Sequence, residues 1–87
     1  MNPYTENITD NKSIVERLFE ESCTQEELLW HRDPEDRIIE SIGNTDWMIQ
    51  LDNELPINLN QSVRIPKGSW HRLIKGTGHL KILVNLK

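Results

Sequence analysis

The stretch IPKGSWHR, residues 65–72, is the part of the sequence from which the fold can be predicted. Pro66 fixes φ near about −65° and has no N–H for a sheet, whereas Gly68 can adopt the positive φ that a sharp reversal needs. An apolar run follows the turn and begins a strand with His71 near its start. We therefore predict a tight turn at residues 66–69, with Gly68 at positive φ, that directs the His71 side chain.

A second polar cluster lies upstream, in the segment Leu28–Arg32 and the Asp33-Pro34 pair that ends it. Residues before proline favour extended backbone, so this segment is predicted to be a strand. His31 and Asp33 are two residues apart and would point to the same face of it. Two such strands could bring His31, Asp33 and His71 together inside the fold. The other residues predicted to face the interior are Leu29, Arg37, Ile39 and Leu73.

The remainder of the chain has short apolar runs separated by turn residues, roughly every eight to twelve residues, which is typical of a sandwich or barrel. The last run is the clearest, because Leu80, Ile82, Val84 and Leu86 share one face and Lys81, Asn85 and Lys87 share the other. The fold class is therefore all-β. Further strands are predicted at 37–42, 47–51, 57–59, 63–65 and 70–74, with a hairpin turn at 43–46 and another reversal at 76–78.

The N-terminal region is less regular. Residues 1–12 are predicted to form an irregular arm with a short extended piece around Tyr4, and residues 13–87 to form one β domain. The apolar positions of 13–19 fit either a helix or a strand. We favour a strand, because everything downstream is strand.

Length and composition fit a single ordinary globular domain. The chain has 87 residues, of which 36% are hydrophobic and 28% charged, so its core is modest. No apolar run is long enough for a membrane span, and the first residues do not resemble a signal peptide; a cytoplasmic location is predicted. The single cysteine, Cys23, excludes an internal disulfide and has no basic neighbour in sequence that would activate it.

Charge argues against a nucleic-acid surface. All 14 acidic residues precede residue 55 and the net charge is −4, while the basic residues are spaced singly. His79 follows a turn with no second ligand beside it, so it is predicted to lie on the surface.

At its two histidine segments the chain resembles a small single-domain cupin, a jelly-roll β-barrel. The second cupin motif contains P-x-G-x-x-H, which residues 66–71 match, with Asn60 at the position of the leading glycine and Lys75 at that of the final asparagine. The first motif is similar to His31-Arg32-Asp33, with Arg37 at the usual glutamate position and Gly43 near the closing glycine.

The resemblance covers residues 26–87 and extends to very small cupin-like proteins of phages and marine bacteria. It implies a fold and no particular activity. In cupins that bind metal, the two motifs supply three histidines and a glutamate. Carried over, the resemblance keeps His31 and His71, replaces the second histidine by Asp33 and the glutamate by Arg37. Two histidines and one carboxylate make up the facial triad of non-haem Fe(II), and Mn, Ni or Zn are the other candidate ions.

Two functions are compatible with these residues. In the first, His31, Asp33 and His71 hold a divalent metal and Arg37 recognises a small anionic ligand by bidentate pairing. In the second, Arg37 pairs with Asp33 or Asp36 in a network without an ion, and the protein acts by association. We also expect a homodimer that packs through apolar residues on the outer face of their strands. The alternative is that the N-terminal strand, residues 13–19, covers this face. The outer apolar residues are Trp30, Ile38, Ile42, Trp70 and Ile74.

Overall fold

The structure, a computed structural model, describes residues 3–9 and 13–86. In this part of the chain there are eight strands and one turn of 3-10 helix, as the sequence predicted for an all-β protein. The elements are β1 (Tyr4–Ile8), β2 (Ile14–Phe19), the 3-10 turn (Gln25–Glu27), β3 (Arg37–Ser41), β4 (Met48–Leu51), β5 (Ile57–Asn58), β6 (Val63–Ile65), β7 (His71–Ile74) and β8 (Leu80–Leu86).

The strands form two antiparallel sheets that share one core. The larger has the order β1-β2-β8-β3-β6 and the smaller the order β5-β4-β7. Both sheets contribute to a single apolar cluster. Ile49 and Leu73 of the smaller sheet belong to it, with Trp47 just before β4, and so do Val15 and Val84 of the larger sheet. No helix of the described residues is long and apolar enough to cross a membrane.

β8 lies at the centre of the larger sheet, between β2 and β3. Its predicted alternation is confirmed, because Leu80, Ile82 and Val84 are buried and the residues between them are not. A strand that is paired on both sides and buried on one face must have this period-two pattern.

Residues 14–19 form a strand, which settles the choice between helix and strand. Residues 1–12 were predicted to be an irregular arm with a short extended piece around Tyr4. The extended piece is the longer strand β1, residues 4–8, which pairs with β2 in register from Tyr4 opposite Phe19. The Tyr4 and Phe19 rings lie 5.2 Å apart, so a core contact adds to the backbone pairing. Residues 10–12 lie outside the described residues, and the domain boundary placed there stays a prediction.

The segment Leu28–Arg32 is not the strand that was predicted. Residues 25–27 form the 3-10 turn, in which Glu27 Oε1 accepts a hydrogen bond from the Thr24 N–H at 2.8 Å. After it the chain makes a single bridge, between His31 and His71, before Pro34. Because this segment contributes one bridge and no ladder, the two sheets do not close into the predicted barrel.

The 43–46 segment is not a hairpin turn, because β3 and β4 belong to different sheets. It crosses between the sheets, as residues 75–79 do on the return to β8. The two crossings touch: Asp46 accepts hydrogen bonds from Thr77 N–H at 2.7 Å and Thr77 Oγ1 at 2.8 Å. A Cβ at Gly76 would overlap Asp46 Oδ1, so only glycine fits there.

The free edge of β7 is covered by a side chain. Gln25 Nε2 donates to Leu73 O at 3.0 Å, and the Lys75 N–H donates to Gln25 Oε1 at 2.8 Å. The carboxamide therefore takes the place of a peptide group beside the strand. At the other end of β7, the predicted turn is confirmed, since Gly68 has φ +78°.

Candidate metal centre

Two histidines face each other where the irregular segment meets β7. His31 and His71 exchange both backbone hydrogen bonds, with N···O distances of 2.9 and 2.8 Å. Directly paired residues of an antiparallel bridge point to the same side, and the two imidazole rings are 4.2 Å apart.

The bridge pairs two copies of one tripeptide, Trp-His-Arg, at residues 30–32 and 70–72. The antiparallel arrangement sets each tryptophan opposite the other copy's arginine. The Arg72 guanidinium lies 4.8 Å from the Trp30 ring centre, and Arg32 lies 5.1 Å from Trp70. The sequence contained this signal, since the tripeptide occurs twice, but the repeat was not recognised.

The tryptophans lie on the outer side of the bridge, as predicted, and neither lines the cavity described below. The predicted single outer patch is divided, however, because Ile38 belongs to the larger sheet whereas Trp30 and Trp70 flank β7 of the smaller one. β2 pairs with β1 and β8, so it does not cover the tryptophans. The arginines of the repeat stack on them instead.

Both histidines have the same tautomer. His31 Nδ1 is 2.9 Å from Leu29 O, and His71 Nδ1 is 2.9 Å from Ser69 O. A carbonyl oxygen can only accept, so each Nδ1 carries a proton, and in the neutral form of either ring the lone pair is on Nε2. A hydrogen bond from one ring nitrogen to a carbonyl is also what fixes a metal-binding histidine through the other nitrogen.

Asp33 completes the cluster from the irregular segment. Its carbonyl accepts a hydrogen bond from the Gly68 N–H at 2.8 Å, which ties the segment to the turn before β7. Its carboxylate Oδ2 lies 3.3 Å from His71 Nε2, yet this buried oxygen has no hydrogen-bond donor among the described residues. In the neutral His71 ring with its proton on Nδ1, Nε2 has no proton to donate to this oxygen.

The predicted trio is therefore brought together: one potential ligand atom each of His31, Asp33 and His71 lie within 4.8 Å of one another. Burial lowers the pKa of His71, as does the nearby His31, and these effects outweigh the hydrogen bond to Ser69 O. The His71 side chain is consequently neutral at pH 7, the form that binds a metal.

Arg37 holds the carboxylate from the other side. Its Nη1 lies 3.4 Å from Asp33 Oδ1, while Nε and Nη2 donate to Glu35 Oε1 at 3.0 and 2.7 Å. The predicted pairing with Asp33 is confirmed. Asp36 pairs instead with Arg64, and its pKa is lowered mainly by the backbone N–H of Lys67 and also by Arg64. The carboxylates of Asp33 and Glu35 offset the positive charge of Arg37. Arg37 therefore repels a cation in the cluster less strongly than an unpaired arginine at this position would.

The cluster opens into a cavity of about 360 Å³ between the sheets. Its polar lining consists of Arg17, Glu27, His31, Asp33, Arg37 and His71, and the rest is mostly apolar. Leu29 lines it too, but is 70% exposed at the mouth rather than interior as predicted. Arg17 was not predicted to line the site, because both faces of the predicted strand 13–19 have an apolar, a charged and an apolar residue, so the sequence does not show which face lies inward.

The two other reactive side chains lie apart from this site. His79 is exposed, as predicted. Cys23 is buried, and burial raises the pKa of its thiol, so it is mostly protonated at pH 7 and a poor nucleophile.

Comparison with known proteins shows similarity in structure only. No protein-family model matches the chain, and no curated protein matches it. An RmlC-like cupin-family protein from Methanocaldococcus jannaschii has a TM-score of 0.68 at 12% identity, over 99% of this chain and 82% of that chain. A chain from structures of the DMSP lyases RdDddP and RnDddQII has a TM-score of 0.68 at 14% identity, over 85% of this chain and 37% of that chain.

The structure of HppE with Fe(II) has a TM-score of 0.62 at 9% identity, over 98% of this chain and 56% of that chain. The chain thus spans only part of the lyase and HppE chains. These similarities confirm the cupin jelly-roll fold. Together with the cluster of His31, Asp33 and His71, they describe a small cupin-fold protein with side chains that could hold a metal.

Proposed function

We propose that this protein binds one divalent metal ion through His31 Nε2, His71 Nε2 and the Asp33 carboxylate, and binds a small molecule beside it. The observation that carries the proposal is the buried Asp33 Oδ2, which has no donor and faces the unprotonated Nε2 of His71. An unpaired buried carboxylate oxygen is costly, and a cation between these atoms would remove that cost.

The donor set limits the choice of ion. Imidazole nitrogen and carboxylate oxygen suit Fe(II), Mn(II), Ni(II) and Zn(II), and three protein ligands leave positions open for a small molecule. One structurally similar protein, HppE, has an Fe(II) form. A bound ion would act as a Lewis acid on the small molecule or lower the pKa of a bound water. Arg37 Nη1, 3.4 Å from Asp33 Oδ1, orients the carboxylate, and the surrounding apolar walls limit access of water.

Metal reconstitution tests the proposal. Untagged protein is freed of metal with a chelator and then loaded with Fe(II), Mn(II), Ni(II) or Zn(II) under anaerobic conditions. We expect about one equivalent of at least one ion in elemental analysis, and almost none for His71→Ala, because a three-ligand site seldom survives with two.

His79→Ala is the matched control, since it removes an exposed histidine outside the cavity. It should retain the metal. Well under one equivalent in the unmodified protein would favour the network without an ion, and full occupancy in His71→Ala would refute the ligand assignment.

Self-association is the second candidate. Trp30 and Trp70 are 39% and 43% exposed, and a domain with so small a core has reason to bury more surface. We propose a homodimer that packs through the two tryptophans, and light scattering should give twice the monomer mass. A monomer mass at micromolar concentration would show that stacking by the two arginines suffices. The cytoplasmic location stays a prediction.

A further inference from the structure

Arg17 is a second arginine beside the cavity, on the wall formed by the larger sheet. It lies in β2 between the buried residues Val15 and Phe19, and strand alternation sets all three on the inner face. Its side chain is only 16% exposed. A guanidinium among apolar core residues is costly unless something pairs with it.

The partners of Arg17 use only part of its guanidinium. Nε donates to Glu6 Oε1 at 2.6 Å, and the Tyr4 ring centre lies 4.4 Å from Cζ. Within residues 3–9 and 13–86, neither Nη1 nor Nη2 of Arg17 makes a hydrogen bond. A guanidinium that is held through Nε and stacked on a ring presents its remaining N–H groups in the planar fork that binds a carboxylate.

Arg37 does not offer the same groups. Glu35 occupies its Nε and Nη2, and Asp33 lies next to its Nη1. The ligand-binding role that the sequence suggested for Arg37 therefore suits Arg17 better.

We propose, on the basis of the metal site above, that the cavity binds a small organic carboxylate with an apolar body. Arg17 binds the carboxylate and so determines specificity. The apolar body of the ligand packs against the apolar walls, which include Leu28, Ile39, Ile49 and Leu73. The opposite end of the ligand then lies towards His31 and His71.

A matched pair of probes tests this inference. Hexanoate and hexanamide have similar shape and differ in charge, and each is titrated by calorimetry into Zn(II)-loaded protein and into metal-free protein. We expect hexanoate to bind at least about tenfold more tightly than hexanamide, since a charge-assisted bidentate pair commonly contributes this much. Arg17→Gln should abolish the preference. Arg64→Gln, which changes an exposed arginine outside the cavity, should keep it.

A second variant acts in the opposite direction and cannot be explained by misfolding. Glu6→Gln keeps an Oε1 acceptor for Arg17 Nε but removes the negative charge beside it, so hexanoate should bind about two- to fivefold more tightly, as for a partly exposed ion pair. Weaker binding in this variant would contradict the assignment.

The outcomes separate this inference from the metal proposal. A preference for hexanoate that persists in Arg17→Gln, or no binding of hexanoate to either form, overturns the role of Arg17 whether or not zinc binds. If zinc does not bind but metal-free protein shows a preference that depends on Arg17, the metal proposal fails and this one stands.

Discussion

The two Trp-His-Arg segments share their sequence and their bridge but differ in burial. His71 begins a regular strand and is 4% exposed, whereas His31 lies on an irregular segment and is exposed. Each ring makes the same hydrogen bond to the carbonyl two residues earlier. The local sequence therefore fixes the tautomer, and the surroundings decide how strongly each histidine is isolated from water.

The two histidines also differ in the number of backbone hydrogen bonds that hold their segments in place. β7 pairs with β4 along its whole length and follows the Gly68 turn. The segment around His31 is held by its one bridge and by the hydrogen bond from Gly68 N–H to Asp33 O. If the proposed ion binds, the site can adjust to it through the less supported His31 side.

Removing each imidazole gives the largest expected contrast. In metal-free protein, His71→Ala should lower the free energy of unfolding by about 1–3 kcal/mol, because it leaves a void in the packed interior. His31→Ala should lower it by less than about 0.5 kcal/mol, since an exposed side chain loses little packing. Denaturant titrations with chelator present measure both. Equal losses would mean that the two histidines are supported alike.

Acidification gives a smaller effect that should depend on His71 alone. The folded-state pKa of His71 is lowered by burial, so below about pH 6.5 the unfolded chain takes up this proton before the folded protein does. The free energy of unfolding should therefore fall as pH drops from about 6.5 towards the lowered folded value, by no more than about 1.4 kcal/mol per pH unit.

The lowered pKa values of Asp36 and Asp46 act at more acidic pH and do not affect this window. Metal-free His71→Ala should lack this part of the slope. A slope between pH 6.5 and 5 that is the same in both proteins would show that another group is responsible.

The outer arginines give the smallest expected effect. Arg72 stacks on Trp30 and also donates to Gln50 Oε1 from Nε and Nη2 at 3.3 and 3.2 Å, whereas Arg32 only stacks on Trp70. Arg72→Ala should cost about 1 kcal/mol and Arg32→Ala about 0.5 kcal/mol. Thermal unfolding followed by tryptophan fluorescence would detect this difference. A larger loss for Arg32→Ala would reverse the comparison.

The secondary structure was predicted correctly from the sequence where local signals and burial agree. The alternation of Leu80, Ile82 and Val84 is set by burial of one face, and the Pro66 and Gly68 turn by backbone sterics. The prediction was less reliable where the pairing of strands in the tertiary structure decides the conformation. Residues 43–46 have the composition of a hairpin turn, but composition does not tell whether the next strand joins the same sheet.

The candidate site shows the same division. His31, Asp33 and His71 could be named from their spacing, because residues two apart share a face of an extended segment. Arg17 could not, because both faces of the predicted strand 13–19 have the same apolar, charged, apolar pattern, and only the place of this strand beside β8 decides which face lies inward. The ion pair between Arg37 and Glu35 also depends on the irregular path of the chain before β3.

The Gln25 carboxamide has a consequence for assembly. An unpaired strand edge is a template for adding a strand from another molecule, and long exposed edges promote aggregation. Along β7 the edge is occupied by His31 opposite His71 and by Gln25 between Leu73 and Lys75. A side chain has no further backbone to offer a neighbour, so it ends the sheet at this point. Intermolecular strand addition in the smaller sheet is thus directed to the short strand β5 at its other edge.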